Sequence, residues 1–194
     1  MNIIDLLTLE EKNSLNIKRF AKGDTLFAEG EKCLKIGVVL SGEVKISTYS
    51  ASGKEIIFNT IRQDEIFGNN LIFSSSPYYK GFVVALENSE LIFIDKDQLV
   101  RLLKTNDSFL YAYLNIQSDF STNEKMMIEL LSIPSAKERL LFFLKENNNT
   151  YKYDSISSLA SKLSLSRESL SRTISLLIKK KIIIKDNKTL IMLK

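Results

Sequence analysis

Apolar and polar positions along this chain follow two different periods. From Ile17 to Ile94 they fall into short β-rich runs separated by glycine. "IGVVLSGEVKIST" reads as two strands around Ser41-Gly42, with Val44 and Ile46 alternating against Lys45 and Ser47. "SASGKEIIFNTI" is a turn at Ser52-Gly53 feeding another strand, and "GFVVALENSELIFI" is two strands joined at Glu87-Asn88-Ser89. Many short strands with regular turns predict an antiparallel sandwich, roll or barrel. Ahead of them, Thr8 with Glu11 three residues later is a capping-box pattern for a short helix.

After Asp95, a candidate N-cap, the period becomes helical. "KDQLVRLLKT" predicts one helix and "DSFLYAYLNIQSDFSTNEKMMIELLS" a longer one. In the longer helix Phe109, Tyr113, Ile116, Phe120, Asn123, Met127 and Leu130 are spaced 4-3-4-3-4-3, a heptad seam with one polar member. Such a seam predicts a dimer interface in which Asn123 paired with its twin sets a parallel register. Packing of the helix on its own β domain is the competing use of the same stripe.

Pro134 ends that helix. "SAKERLLFFLKENN" is amphipathic, Asn147-Asn148-Asn149 is a turn, and "SISSLASKL" and "SRESLSRTISLLIKKK" are two helices with a short connection at Ser164-Leu165. "IIIKDNKTLIML" is a hairpin around Asp186-Asn187. Three helices and a hairpin describe a winged helix-turn-helix. Leu159, Ala160, Leu163, Leu165, Leu170 and Ile174 are its expected apolar contacts, and Ser164 stands at the turn position that often holds glycine.

Charge sharpens this division. Residues 1–132 hold 14 Lys and Arg against 18 Asp and Glu, a net of −4; residues 133–194 hold 13 against 5, a net of +8. A basic tail on a mildly acidic body predicts a module facing a polyanion. All seven glycines lie between Gly23 and Gly81, in the first half.

Composition narrows the chemistry. The chain has no histidine and one cysteine, Cys33, which removes the commonest metal ligand, general base and haem ligand and leaves too few thiolates for an iron–sulfur cluster. Neither a catalytic nor a metal site is expected. Cys33 reads as a half-buried core residue. No apolar run approaches the roughly 18 residues of a membrane span, and "MNIIDLLTLEEK" lacks a signal-peptide pattern. A cytoplasmic protein without membrane contact is expected.

In a helix-turn-helix the second helix enters the major groove and its first turn reaches base edges. Ser166 is a good N-cap, placing Arg167, Glu168 and Ser169 in that first turn with Arg172 on the same face as Glu168. Arginine bonds guanine O6 and N7 in bidentate fashion, and glutamate accepts from cytosine N4. A surface ion pair between Glu168 and Arg172 is the alternative. Lys180 and Lys188 are candidate phosphate contacts. Two other classes compete with a DNA-binding regulator: a ligand-binding or protein-interaction module, and a cupin-like enzyme, for which histidine is missing.

The order "FAKGDTLFAEGE", "VLSGEVKI", "DEIFGNNLIF", a long helix and "SRESLSRTISLL" before a hairpin resembles the Crp/Fnr family of bacterial transcription regulators. The resemblance covers nearly the whole chain, and S-R-E-x-x-x-R is its most specific part. It implies an α+β protein: a β-roll sensor domain like the cyclic-nucleotide-binding domain over 1–106, a dimerisation helix over 107–133, and a winged helix-turn-helix over 134–194. It further implies a homodimer on double-stranded DNA, with Arg167 and Arg172 on guanines and Glu168 on a cytosine of a TGTGA-like half-site. RNA polymerase and a small-molecule effector are the further partners such a regulator would have.

The effector pattern of the cyclic-nucleotide-binding members is not kept. Laid on it without gaps, "FGNNLIFSSSPYYKGFVVAL" retains Gly68 but places Asn69 at the ribose-binding Glu, Tyr79 at the phosphate-binding Arg and Lys80 at the Ser/Thr position, with Asn70 and Leu71 in the same segment. A buried phosphate requires a compensating charge that Tyr79 lacks, and Lys80 should face the other way. Cyclic AMP, haem and an iron–sulfur cluster are therefore not expected. An unidentified small ligand and no ligand at all both remain open.

Overall fold

The computed structural model describes residues 3–53 and 55–193. The chain divides into two compact units, Met1–Ser118 and Asp119–Lys194, each with its own apolar core.

The first unit opens with a 3-10 turn, Ile3–Leu6, and helix α1, Leu9–Asn13. The capping box forms: the Glu11 N–H donates to Thr8 Oγ1 (3.2 Å) and the Thr8 N–H to Glu11 Oε2 (2.7 Å). Eight strands follow: β1 (Ile17–Phe20), β2 (Thr25–Phe27), β3 (Lys35–Ser41), β4 (Glu43–Tyr49), β5 (Glu55–Arg62), β6 (Ile66–Phe67), β7 (Phe82–Ala85) and β8 (Ser89–Asp95). They make two antiparallel four-stranded sheets, β1-β8-β3-β6 and β2-β7-β4-β5. β3 and β4 flank Gly42 as the pattern predicts, yet they lie in different sheets, and Gly42 turns the chain between them at φ +85°.

Strict alternation fails in β4. The register against β5 shifts between Ile46 and Ser47, where β5 carries the extra residue Phe58. Ser47, expected outside with Lys45, is buried, and Ile46 is half-buried. The Ser47 hydroxyl donates to Glu55 Oε1 at 2.7 Å, so its burial leaves no orphaned group.

Between the sheets lies an aromatic cluster. Phe27 stacks on Tyr79 with centroids 4.7 Å apart, and Phe67 and Phe93 meet Phe27 edge-on. The Phe67 ring approaches the β3 backbone at Gly37, where a Cβ would lie 2.3 Å from the ring. Cys33 is fully buried here rather than half-buried. Helix α2 (Lys96–Thr105) follows Asp95, which occupies the N-cap position in extended conformation without a side-chain capping bond.

Helix α3 spans Asp107–Ser132, and its seam is divided. Phe109 and Tyr113 are buried in the first unit's core, where Ile116 also packs, and Leu130 is buried in the second unit's core. The two cores take up the ends of the stripe, so Phe109, Tyr113 and Leu130 are intrachain residues and not the subunit contacts the heptad predicts. Phe120 and Met127 stay half-buried and Asn123 exposed, while Tyr111, Leu114, Ile128 and Leu131 stand exposed on the same helix.

The second unit contains α4 (Ala136–Glu146), α5 (Ile156–Lys162) and α6 (Arg167–Lys179) with a three-stranded sheet. Ser135, Ser155 and Ser166 each accept a backbone N–H three residues on, which caps all three helices. The hairpin β10 (Ile183–Asp186) and β11 (Thr189–Met192) forms around Asn187, and β9 (Thr150–Lys152) pairs with β11 from the other side. At three residues β9 is too short to give a periodic signal. Asn148 and Asn149 make the preceding turn with positive φ.

Candidate nucleic-acid interface

α5 and α6 are joined by a tight turn whose bonding explains how serine can stand there. The Leu165 N–H donates to the Ala160 carbonyl (2.9 Å) and the Ser164 N–H to the Ser161 carbonyl (3.0 Å). This is the Schellman pattern, with Ser164 in the left-handed position at φ +50°. Leu159, Ala160, Leu163, Leu170 and Ile174 are buried behind the turn and Leu165 packs on them, so the two helices are held through an apolar wedge.

The wedge leaves the first turn of α6 outside. Ser166 spends its hydroxyl on the Ser169 N–H (3.1 Å), and Ser169 itself is half-buried. Arg167, Glu168, Ser171 and Arg172 are exposed and line one open concavity. Arg172 Nε donates to the backbone carbonyl of Glu168 (3.3 Å). Among the described residues no ion pair joins the Glu168 carboxylate to Arg172, and the Arg167 guanidinium has no partner. The carboxylate and both guanidiniums thus keep donors and acceptors for an outside group. Ser171, one turn beyond Arg167, joins this set although its small side chain carries no sequence signal.

The other two candidates sit elsewhere. Lys180 is the C-cap of α6, at the opposite end of the helix from Arg167. Lys188 is exposed at the tip of the β10–β11 hairpin, where Asp186, Asn187, Thr189 and Lys152 line a second open concavity. Lys152 arrives there because β9 pairs Lys152 with Thr189, a neighbour invisible without β9.

The six candidate effector residues of the first unit do not converge. Gly68, Asn69 and Tyr79 are buried, Leu71 packs against the core, and Asn70 and Lys80 are exposed. Gly68 holds φ +78° close to Cys33 and the Tyr79 hydroxyl, with Cys33 Sγ 3.6 Å from that oxygen. The Asn69 side-chain amide donates to Gln117 Oε1, and the Asn69 backbone carbonyl accepts from Gln117 Nε2 (3.1 Å) and the Tyr113 hydroxyl (3.3 Å). Burial pushes Tyr79 far above the ordinary phenol range and Tyr113 up to about 12. Tyr79, which the resemblance sets at the phosphate-binding position, is a neutral phenol stacked on Phe27, and the Asn69 side chain is already bonded to Gln117. These residues do not fit a cyclic nucleotide held in the family's manner.

Residues 17–106 match the family model described as the cyclic nucleotide-binding domain. The chain is 26% identical over 147 residues to the anaerobic regulatory protein of Bacillus subtilis (strain 168), covering 76% of this chain and 61% of that one. It is 27% identical over 161 residues to the regulatory protein HlyX of Actinobacillus pleuropneumoniae, covering 83% and 66%. The chain therefore spans less than two thirds of the length of these curated relatives. Among solved structures it is similar to a CooA mutant from Carboxydothermus hydrogenoformans, with a TM-score of 0.74 at 18% identity, covering 99% of this chain and 91% of that one. The α+β fold expected from the sequence, a roll followed by a long helix and a winged helix-turn-helix, is borne out.

Proposed function

We propose that this chain, which resembles the Crp/Fnr-type regulators in sequence and fold, is a homodimeric transcription regulator that binds a palindromic DNA site. The observation that carries the reading is the first turn of α6. There Arg167, Glu168 and Arg172 share one exposed concavity, with the Arg167 guanidinium and the Glu168 carboxylate unspent and Arg172 bonded only through Nε. Arg167 and Arg172 read guanines and Glu168 accepts from a cytosine. Ser166 and Ser169 fix the start of the helix, and Lys180, Lys188 and Lys152 contact phosphates. The net charge of +8 over residues 133–194 supports a polyanionic partner.

Two chains associate through α3, using Phe120, Asn123 and Met127 and the exposed apolar positions beside them. The relatives' names speak of regulation, which supports a role in binding rather than in turnover. The roll works without cyclic AMP, haem or an iron–sulfur cluster.

The test is a titration of the full chain onto a duplex carrying two TGTGA-like half-sites one helical turn apart. The expected result is two chains per duplex and a loss of affinity when the half-sites are moved apart by half a turn. Indifference to that spacing contradicts the dimer reading, and equal binding to a scrambled duplex contradicts base readout.

A further inference from the structure

Arg139 belongs to none of the groups described so far. It is the fourth residue of α4, half-buried, and among the described residues all four hydrogen bonds of its guanidinium go to backbone carbonyls. Nε and Nη2 both donate to the Ile133 carbonyl (3.0 and 2.6 Å), while Nη1 donates to the Leu163 carbonyl (3.0 Å) and the Ser164 carbonyl (3.2 Å). Ile133 directly follows the end of α3, Leu163 is the C-cap of α5, and Ser164 is the left-handed residue of the helix-turn-helix. One planar cation therefore joins the exit of the long helix to the turn that aims α6.

The chain contains its own control for this arrangement. α6 ends in a turn of the same bonding type: the Ile182 N–H donates to the Leu177 carbonyl (3.0 Å) and the Lys181 N–H to the Ile178 carbonyl (2.9 Å), with Lys181 at φ +56°. Among the described residues no arginine donates to the carbonyls of that second turn. A left-handed residue after a helix is thus not by itself what recruits a guanidinium. What distinguishes the first turn is that α6 starts two residues beyond it.

We propose that Arg139 is a positioning residue for DNA recognition. It fixes the direction in which the first turn of α6 leaves the end of α3, and it does not itself touch DNA. This rests on the DNA-reading role of α6 proposed above. The positive charge also suits the C-terminus of α5, where unpaired carbonyls gather. Lysine does not reproduce it, because an ammonium is a point donor without the rigid fork that bonds Ile133 through Nε and Nη2 and Leu163 and Ser164 through Nη1.

The test compares the full chain with Arg139→Lys and Arg139→Gln in three measurements. The first is amide hydrogen exchange. The Ser164 and Leu165 amides should exchange about tenfold faster in both variants, with those of Lys181 and Ile182 unchanged. The second is affinity for the palindrome and for random duplex. Preference for the palindrome should fall about tenfold while random-duplex affinity and the salt slope stay the same, because no phosphate contact is lost. The third is thermal unfolding, to show that both variants still fold cooperatively.

Unchanged exchange at Ser164 and Leu165 overturns the clip. Unchanged palindrome preference in folded variants overturns its role in recognition, as does an equal loss on both duplexes. Loss of cooperative folding in both variants makes Arg139 a folding element and overturns the proposal as well. A parent chain without preference for the palindrome defeats the reading of α6 instead, and is recognised from the parent alone.

Discussion

The two polar segments most in question, the first turn of α6 and the stretch from Gly68 to Lys80, treat their side chains in opposite ways. On α6 the Arg167 guanidinium and the Glu168 carboxylate are exposed and uncommitted. In the roll, Asn69 bonds Gln117 through its side-chain NH2 and its backbone carbonyl, and Tyr79 is stacked on Phe27 against Cys33. A group already satisfied inside the protein has nothing to gain from a ligand unless that bond is first broken. A motif's position in a fold says less about binding than the state of its hydrogen bonds.

The contrast is sharpest at Tyr79. If it is a core residue, Tyr79→Ala should lower stability by roughly 3–5 kcal/mol, the usual cost of emptying a buried aromatic site, visible as a shifted denaturant midpoint. A near-neutral effect would show that the segment is open and Tyr79 not a core residue. Next comes Gln117→Leu, which strands the Asn69 amide in a buried place. It should cost about 1–3 kcal/mol in the same assay, and a change within about 0.5 kcal/mol would mean that Asn69 is not held.

Smaller effects belong to the exposed side. Lys188→Gln should weaken every duplex about equally and reduce the salt slope by about 1, with stability unchanged; a sequence-dependent loss would make Lys188 a base reader. The smallest is a pH effect. Burial raises the Cys33 thiol above the ordinary thiol range, pushes Tyr113 up to about 12 and lifts Tyr79 far above the ordinary phenol range. The folded chain keeps protons that the unfolded chain releases, so stability is full below about pH 9 and declines as pH rises above it. Thiol labelling should show the same dependence, and rapid labelling of Cys33 at pH 7 would contradict it.

The division of labour was legible in the sequence where the signal is local. Ser166 caps α6, Thr8 and Glu11 close their box, and Asn187 turns the hairpin, because each involves residues at most three apart. Partners far along the chain were not legible. Gln117 lies 48 residues from Asn69, and Arg139 lies 24 and 25 residues from the carbonyls it clips. The heptad of α3 shows the apolar stripe correctly but not what covers it, since Phe109 and Tyr113 in one core and Leu130 in the other satisfy the same pattern as a second chain would. Across the β4–β5 pair one extra residue in β5, Phe58, shifts the register between Ile46 and Ser47, and Ser47 is buried although Ile46 still packs on the core.

The most direct measurement is the affinity of the full chain and of Arg167→Ala for a TGTGA-like palindrome and for a scrambled duplex, at one fixed salt concentration. The parent should prefer the palindrome by about a thousandfold or more. Arg167→Ala should lose about 1–3 kcal/mol on the palindrome alone, relax preference at one base pair, and leave the scrambled duplex unaffected. Equal losses on both duplexes, or no preference in the parent, would contradict the assignment of α6 as the reading helix.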